Sequence, residues 1–319
     1  MVTLIDVKLN NLPSRFLQVI SEELKSQSGY NLREEVFFPL RYDRDQPQTV
    51  QHKYIAQKFM TKDPRLGDGY YWGSIGTTSQ NVVRSLSEQY TEEIERDGVD
   101  LDTLLKGERG KRGTWTIAYD WLWNCKYPRW LNDYYWQYLI DKANTDSYWI
   151  EFHEKGYDQL AISPGKNIGG PYLNVPISIV DKLSIIPRNK PLLMQVNLGY
   201  SDPQLLLFNK SEQGKLVICP SFGYGLNTRM NSASVEFPQK DSWAYQSQQY
   251  FQFKKKGIEE FIAVVLPTPL DMDNFLPEPE EEVIPELTNQ RFELVFTELE
   301  RQQDCPIFYQ VFEVRSQKK

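Results

Sequence analysis

Apolar residues recur at helical spacing through the first part of the chain, and in alternation or short runs through the second. Leu12, Phe16, Val19, Ile20 and Leu24 share one face of a helix, with Gly29 beyond it as a stop. A second helix is expected over 49–60, where Val50, Tyr54 and Phe59 lie on or near one side. Thr77 or Thr78 can cap a third, which carries Val82, Val83, Leu86, Tyr90 and Ile94, the clearest amphipathic stripe in the chain. Asp100 can cap a short helix bearing Leu101, Leu104 and Leu105. Trp115, Ala118, Tyr119 and Leu122 predict one more, and Trp130, Tyr134 and Leu139 predict another that starts near Pro128.

The period changes near Thr145. Tyr148, Ile150 and Phe152 alternate with polar residues, as in a half-buried strand. Short strands are then expected at 177–186, 192–198, 205–208, 216–219, 233–237, 250–253 and 261–266. The segment QLLLFNKSEQGKLVICPSF reads as a hairpin, with Gly214 free to take the positive φ of its turn. Prolines and acids make 271–286 a solvated connector, followed by a helix over 288–299 and a last strand over 307–314. The expectation is an α+β protein. Residues 1–145 form a helical domain, with a winged-helix outline as one form, and 146–319 form a β-rich sandwich or partly open barrel.

A length of 319 residues suits about two domains, and the aromatic content (13%) suffices for sizeable cores. The net charge of −7 is uneven. Residues 1–130 balance eighteen bases against eighteen acids, whereas 271–286 hold seven acids and no base. No global basic field exists to draw in nucleic acid or an anionic membrane. The opening MVTLIDVKLNNLP lacks the cationic start and apolar stretch of a signal peptide, and no run approaches the ~18 residues of a membrane span. Three distant cysteines, Cys125, Cys219 and Cys305, suit a reducing compartment. A cytoplasmic protein is expected.

From about Lys190 to Leu266 the succession PLLMQVNLGYSDPQLLLFN, SEQGKLVICPSF, GYGLNTRMNSAS, VEFPQKDSWAYQ and FKKKGIEEFIAVVLPTP resembles a bacterial family known only as domain of unknown function 4384. The tail PIFYQVFEV is similar to cyanobacterial members. The resemblance covers about a third of the chain and leaves out its N-terminal half. It implies a regulatory or sensory module of the kind that accompanies caspase-like or trypsin-like peptidases and kinases. It carries over no catalytic residue.

Direct readings of chemistry are sparse. A cysteine-dependent hydrolase would need Cys125 or Cys219 beside His153, yet Cys219 sits in an apolar run and His153 in an exposed alternation. No CxxC or HExxH occurs, and the Glu280–Glu282 run lacks the spacing of a calcium loop, so neither metal nor cofactor is expected. Gly107, Gly110 and Gly113 lack the order of a phosphate loop. A DNA-binding regulator could present Thr78, Gln80, Asn81 and Arg84 from its recognition helix, with Arg109, Lys111 and Arg112 on a basic wing. Glu88, Glu92, Glu93 and Glu95 oppose that reading, because they would face phosphates. Six of the eight tryptophans fall between Trp115 and Trp149, and they read as core with some surplus for a partner surface. The favoured function is a non-enzymatic regulatory or adaptor protein in bacterial signalling or defence. Its partner would be another protein such as a nearby-encoded peptidase, kinase or ATPase, with transcription regulation as the alternative.

Overall fold

The computed structural model describes residues 11–45, 55, 57, 75–106, 114–144, 149–154, 184–200, 202–270, 275–276, 283–302 and 304–316. The chain divides into two compact units, one through Tyr134 and one from Tyr135 onward. That division falls inside a helix, while the change of sequence period near Thr145 follows the helix end.

The first unit is helical throughout its described residues. Helix α1 (Leu12–Leu24) buries Phe16, Leu17, Ile20 and Leu24 as its periodicity requires. Helix α2 (Leu32–Tyr42), with Pro39 inside it, is absent from the sequence expectations. Its start is secured by a capping box: the Asn31 side chain accepts from the Arg33 N–H at 3.0 Å, and Glu34 accepts from the Asn31 N–H at 3.2 Å. Pro39 stands three residues before the end, where it gives up the ladder bond to the Glu35 carbonyl.

Helix α3 (Ile75–Gln89) starts ahead of the expected cap, so Thr78 lies in its first turns and is buried. The expected run to Ile94 breaks at Tyr90 (φ −121, ψ 27), and α4 (Thr91–Arg96) continues beyond it. Helix α5 (Leu101–Lys106) is capped by Asp100, whose carboxylate accepts from the Thr103 N–H at 2.7 Å. The expected helix over 49–60 lies outside the described residues apart from Ile55 and Gln57, which are helical.

The two expected aromatic helices are one continuous rod. Helix α6 (Thr114–Trp121) passes through a π-turn (Leu122–Lys126) into α7 (Tyr127–Lys142) without leaving helical dihedrals. The Tyr127 N–H reaches back to the Leu122 carbonyl, a five-residue step. Pro128 comes next, and the widened turn lies where its missing N–H would otherwise interrupt the ladder.

The second unit holds two sheets. Strands β1 (Ile150–Glu154), β3 (Leu192–Asn197) and β6 (Ser234–Phe237) form a three-stranded antiparallel sheet in the order β1-β3-β6. Strands β2 (Ser184–Pro187), β4 (Gln204–Ser211), β5 (Gly214–Cys219), β7 (Gly257–Leu266) and β8 (Ile307–Arg315) form a five-stranded sheet in the order β2-β8-β7-β4-β5. Among the described strands, β2 and β8 pair in parallel and the other pairs are antiparallel. Among the described residues both sheets stay open and share one core, so the unit packs sheet on sheet with no closed barrel. The β4–β5 hairpin closes as expected, with Gly214 at φ +123. The expected strand at 250–253 reduces to a single bridge between Phe251 and Leu192.

Alternation assigns each face. Leu205, Leu207, Phe261, Ala263, Val265, Phe312 and Val314 meet Met194, Val196 and Phe237 of the small sheet. Leu206, Phe208, Ile262 and Val264 are equally buried on the opposite face. There, Tyr135 and Tyr138 of α7 pack on Phe292 and Phe296 of α9 (Asn289–Gln302, which follows the short helix α8, Trp243–Gln246), and the Trp136 indole donates to Glu260 of β7 at 2.9 Å.

Gln310 of β8 ties the two sheets together. Its buried amide oxygen accepts from the Trp149 and Ile150 N–H groups at 3.1 and 2.9 Å, and its nitrogen donates to the Ile150 carbonyl at 3.3 Å. Gln310→Leu leaves three buried backbone groups unpaired at ~1–3 kcal/mol each, so a loss of about 3 kcal/mol or more is expected. Urea unfolding of the variant checks this, with a lowered midpoint and an unchanged slope as the expected result.

Candidate functional site

The rod α6–α7 carries a ladder of six rings: Trp115, Tyr119, Trp123, Tyr127, Trp130 and Tyr134. Successive centroids lie 6.3, 6.3, 5.1, 6.0 and 5.3 Å apart. In an ideal α-helix, residues four apart drift ~40° per step, so three such steps would carry the ladder off its face. The extra residue in the π-turn offsets ~100° of that drift. Phe16 of α1 packs on Trp123, Tyr127 and Trp130 at 5.2–5.5 Å. The Trp123 indole donates to the Tyr42 carbonyl of α2 at 2.9 Å. The middle of the ladder is therefore core.

Its two ends open to the surface, and each is met by an arginine. Arg41 lies 3.7 Å from the Trp115 ring centre, and burial lowers its pKa. At the other end, exposed Arg15 stands 4.8 Å from the Tyr134 ring centre and donates to its hydroxyl at 3.0 Å. Half-buried Trp130 stacks on Tyr134 at 20°. Arg15, Trp130 and Tyr134 thus form a small amphipathic surface fixed by ring stacking, a cation–π contact and one hydrogen bond.

A charge clamp holds α4 against the rod. Arg129 reaches both oxygens of Asp97 at 2.7 Å and Glu93 at 3.3 Å, while Lys126 meets Glu93 at 2.7 Å. The Trp121 indole adds a bond to Asp97 at 2.8 Å. Lys126 also lies 4.2 Å from the Tyr90 ring centre, and the Tyr90 hydroxyl donates to Glu23. Glu93 is therefore already compensated, whereas Glu88, Glu92 and Glu95 face solvent.

The four residues of α3 proposed to touch nucleic acid point in different directions. Thr78 is buried, and the Asn81 amide donates to Glu34 at 3.0 Å. Gln80 and Arg84 point outward in one stripe that ends in Glu88, so the stripe carries one base and one acid. Arg109, Lys111 and Arg112 lie outside the described residues.

All three thiols are shifted toward the protonated form. Burial pushes the fully buried Cys219 well above the usual range, and its Sγ contacts the Asn227 carbonyl at 3.7 Å. Burial also raises Cys125, with Asp97 adding, and raises Cys305, with Asp304 and Glu298 adding. His153 sits exposed on β1 with Glu151 at 3.6 Å. These settings are the reverse of an activated nucleophile beside its base. Among the described residues, no His/Cys/Asp/Glu group is placed to hold a metal, and no helix is long and apolar enough to cross a membrane.

Comparison with protein-family models, with curated proteins and with solved structures returns no match.

The clamp makes a pH-dependent prediction. The Arg129 hydrogen bonds hold the Asp97 carboxyl below its ordinary range, with Trp121 adding, although burial acts in the opposite direction. A depressed folded pKa means that this stabilisation is complete above the ordinary value of ~4 and is lost as pH falls through the lowered one. Asp97→Asn should cost about 1–2 kcal/mol at neutral pH, with the gap to the parent narrowing in acid. Chemical unfolding at a series of pH values measures this. A constant gap would show that the charge is not what matters.

Proposed function

We propose that this chain is a non-enzymatic regulatory or adaptor protein that works through protein–protein contacts in bacterial signalling or defence. The observation that carries the reading is the Arg15–Trp130–Tyr134 surface of the helical unit. Arginine, tryptophan and tyrosine are the residue types that dominate binding energy at protein interfaces, and here they are held in place by the ladder beneath them. The raised thiol pKa values favour contact over thiol catalysis. The resemblance of the second unit to modules that accompany peptidases and kinases supports the same choice, and a peptidase, kinase or ATPase encoded nearby is the partner class proposed.

Co-expression of the tagged full chain with the products of neighbouring genes tests this. One of them should co-purify, and Arg15→Glu should weaken the complex by about 2 kcal/mol while leaving the thermal midpoint nearly unchanged. Trp130→Ala should weaken it as much and also lower the midpoint, because Trp130 packs on Phe16. A chain that stays monomeric with every neighbour would overturn the reading.

Transcription regulation is the second reading, favoured by the outward Gln80 and Arg84. If it holds, the chain should retain its own promoter DNA at low salt, and Lys111→Ala with Arg112→Ala should weaken that retention. Absence of retention at low salt would remove it.

A further inference from the structure

Six cations from three separate parts of the sequence meet at one end of the sandwich. The turn after β2 brings Arg188 and Lys190, the stretch before β7 brings Lys254, Lys255 and Lys256, and β8 ends in Arg315. Backbone hydrogen bonds join the parts: Arg188 N–H to the Arg315 carbonyl at 2.9 Å, and Asn189 N–H to the Phe253 carbonyl at 2.9 Å. The Arg188 Nε donates to the Lys254 carbonyl at 2.7 Å. Glu154 answers Lys190 at 3.3 Å and Glu313 answers Arg315, and Glu212 packs near Gly257. Lys254, Lys255 and Lys256 are exposed and have no ion pair among the described residues. In a chain of net charge −7, this end carries uncompensated positive charge.

Apolar side chains stand beside it. Ile185 of β2 and Ile258 of β7 both pair in register with Glu313 of β8, so all three lie in one row on the outer face of the large sheet. The two isoleucines are 58% and 41% exposed. On the Ile258 side of that row a shallow groove of about 520 Å³ is lined by Lys256, Ile258, Glu313, Arg315 and the backbone at Gly257 and Ser316. Neighbouring strands lie ~4.8 Å apart, which puts the isoleucines ~10 Å from each other across the row.

We infer that this end of the sandwich binds an acidic polypeptide segment that carries aliphatic side chains. Charge complementarity calls for an anion, and the paired isoleucines call for apolar side chains on the same ligand. Nucleic acid fits less well, because single strands bind through exposed aromatic platforms. The nearby Phe152, Phe251 and Phe253 are instead packed on one another at 5.5–6.5 Å. An anionic membrane fits less well too. Glu313 stands between the isoleucines, and two side chains offer little area to insert. The inference concerns the second unit alone and stands apart from the docking surface around Trp130.

The test uses the full chain and a short fluorescent peptide of alternating Glu and Leu, followed by anisotropy. Saturable binding should weaken as added salt shortens the screening length from ~30 Å at about 0.01 M to ~10 Å at about 0.1 M. The variant carrying Lys254→Glu, Lys255→Glu and Lys256→Glu should bind about tenfold more weakly or worse. Ile258→Ser should weaken the Glu/Leu peptide but not an oligoglutamate control, and Trp130→Ala should change neither. Unaltered binding by the lysine variant would overturn the inference, as would no binding at low salt. Stronger binding to a single-stranded oligonucleotide or to phosphatidylserine vesicles would also overturn it. Lys254, Lys255, Lys256 and Ile258 are exposed, so thermal unfolding of the lysine variant and of Ile258→Ser should be close to that of the parent.

Discussion

An unbroken apolar run in a strand has to be covered on both faces, and this requirement organises the second unit. Leu205 to Phe208 in β4 and Phe261 to Leu266 in β7 are buried on every side-chain position. One set of alternating residues meets the small sheet, and the other meets the layer of α9 and the later residues of α7. Without either cover, a row of large aliphatic and aromatic side chains would face water at a cost of roughly 1.5–3 kcal/mol each. Toward the β2–β8–β7 end of that outer face, Ile185 and Ile258 are exposed beside lysines.

Polar groups inside these layers are placed where the backbone would otherwise lack partners. Gln310 stands in for a missing strand partner at Trp149 and Ile150. Glu260 gathers the Trp136 indole, the Tyr309 hydroxyl at 3.0 Å and the Lys210 ammonium at 2.9 Å. Burial works to raise its pKa, but the three donors together bring it below the ordinary value. The Glu93–Asp97–Lys126–Arg129 clamp does the same for α4 in the first unit. Each is better explained by the demand that buried or half-buried polar groups be paired than by chemistry on a substrate.

Periodicity made several elements legible in advance. Helix α1, helix α9, the β4–β5 hairpin with Gly214, and strands β7 and β8 lie close to where their patterns place them. In each, one local rule dominates: a 3.6-residue stripe, a glycine turn or an apolar run. Local rules conflict where the expectations departed. Helix α2 forms despite Pro39, because the capping box at Asn31 and packing around Phe37 and Phe38 outweigh one lost bond. Pro128 suggests a new helix, but the π-turn carries the old one through it. Thr78 reads as a cap or a phosphate contact, and the earlier helix start buries it instead.

The amino-acid sequence by itself determined the α+β class, the helical first half, the β-rich second half and the neutral-then-acidic distribution of charge. These follow from side-chain period and composition, which act over a few residues. Tertiary structure alone decided that the apolar strands form two open sheets, that six rings line one helix face, and which residues become neighbours at a surface. Arg15 meets Tyr134 across more than a hundred residues, and Arg188, Lys254 and Arg315 come from three separate segments. Such groupings arise from strand register and helix packing, and no short-range pattern encodes them.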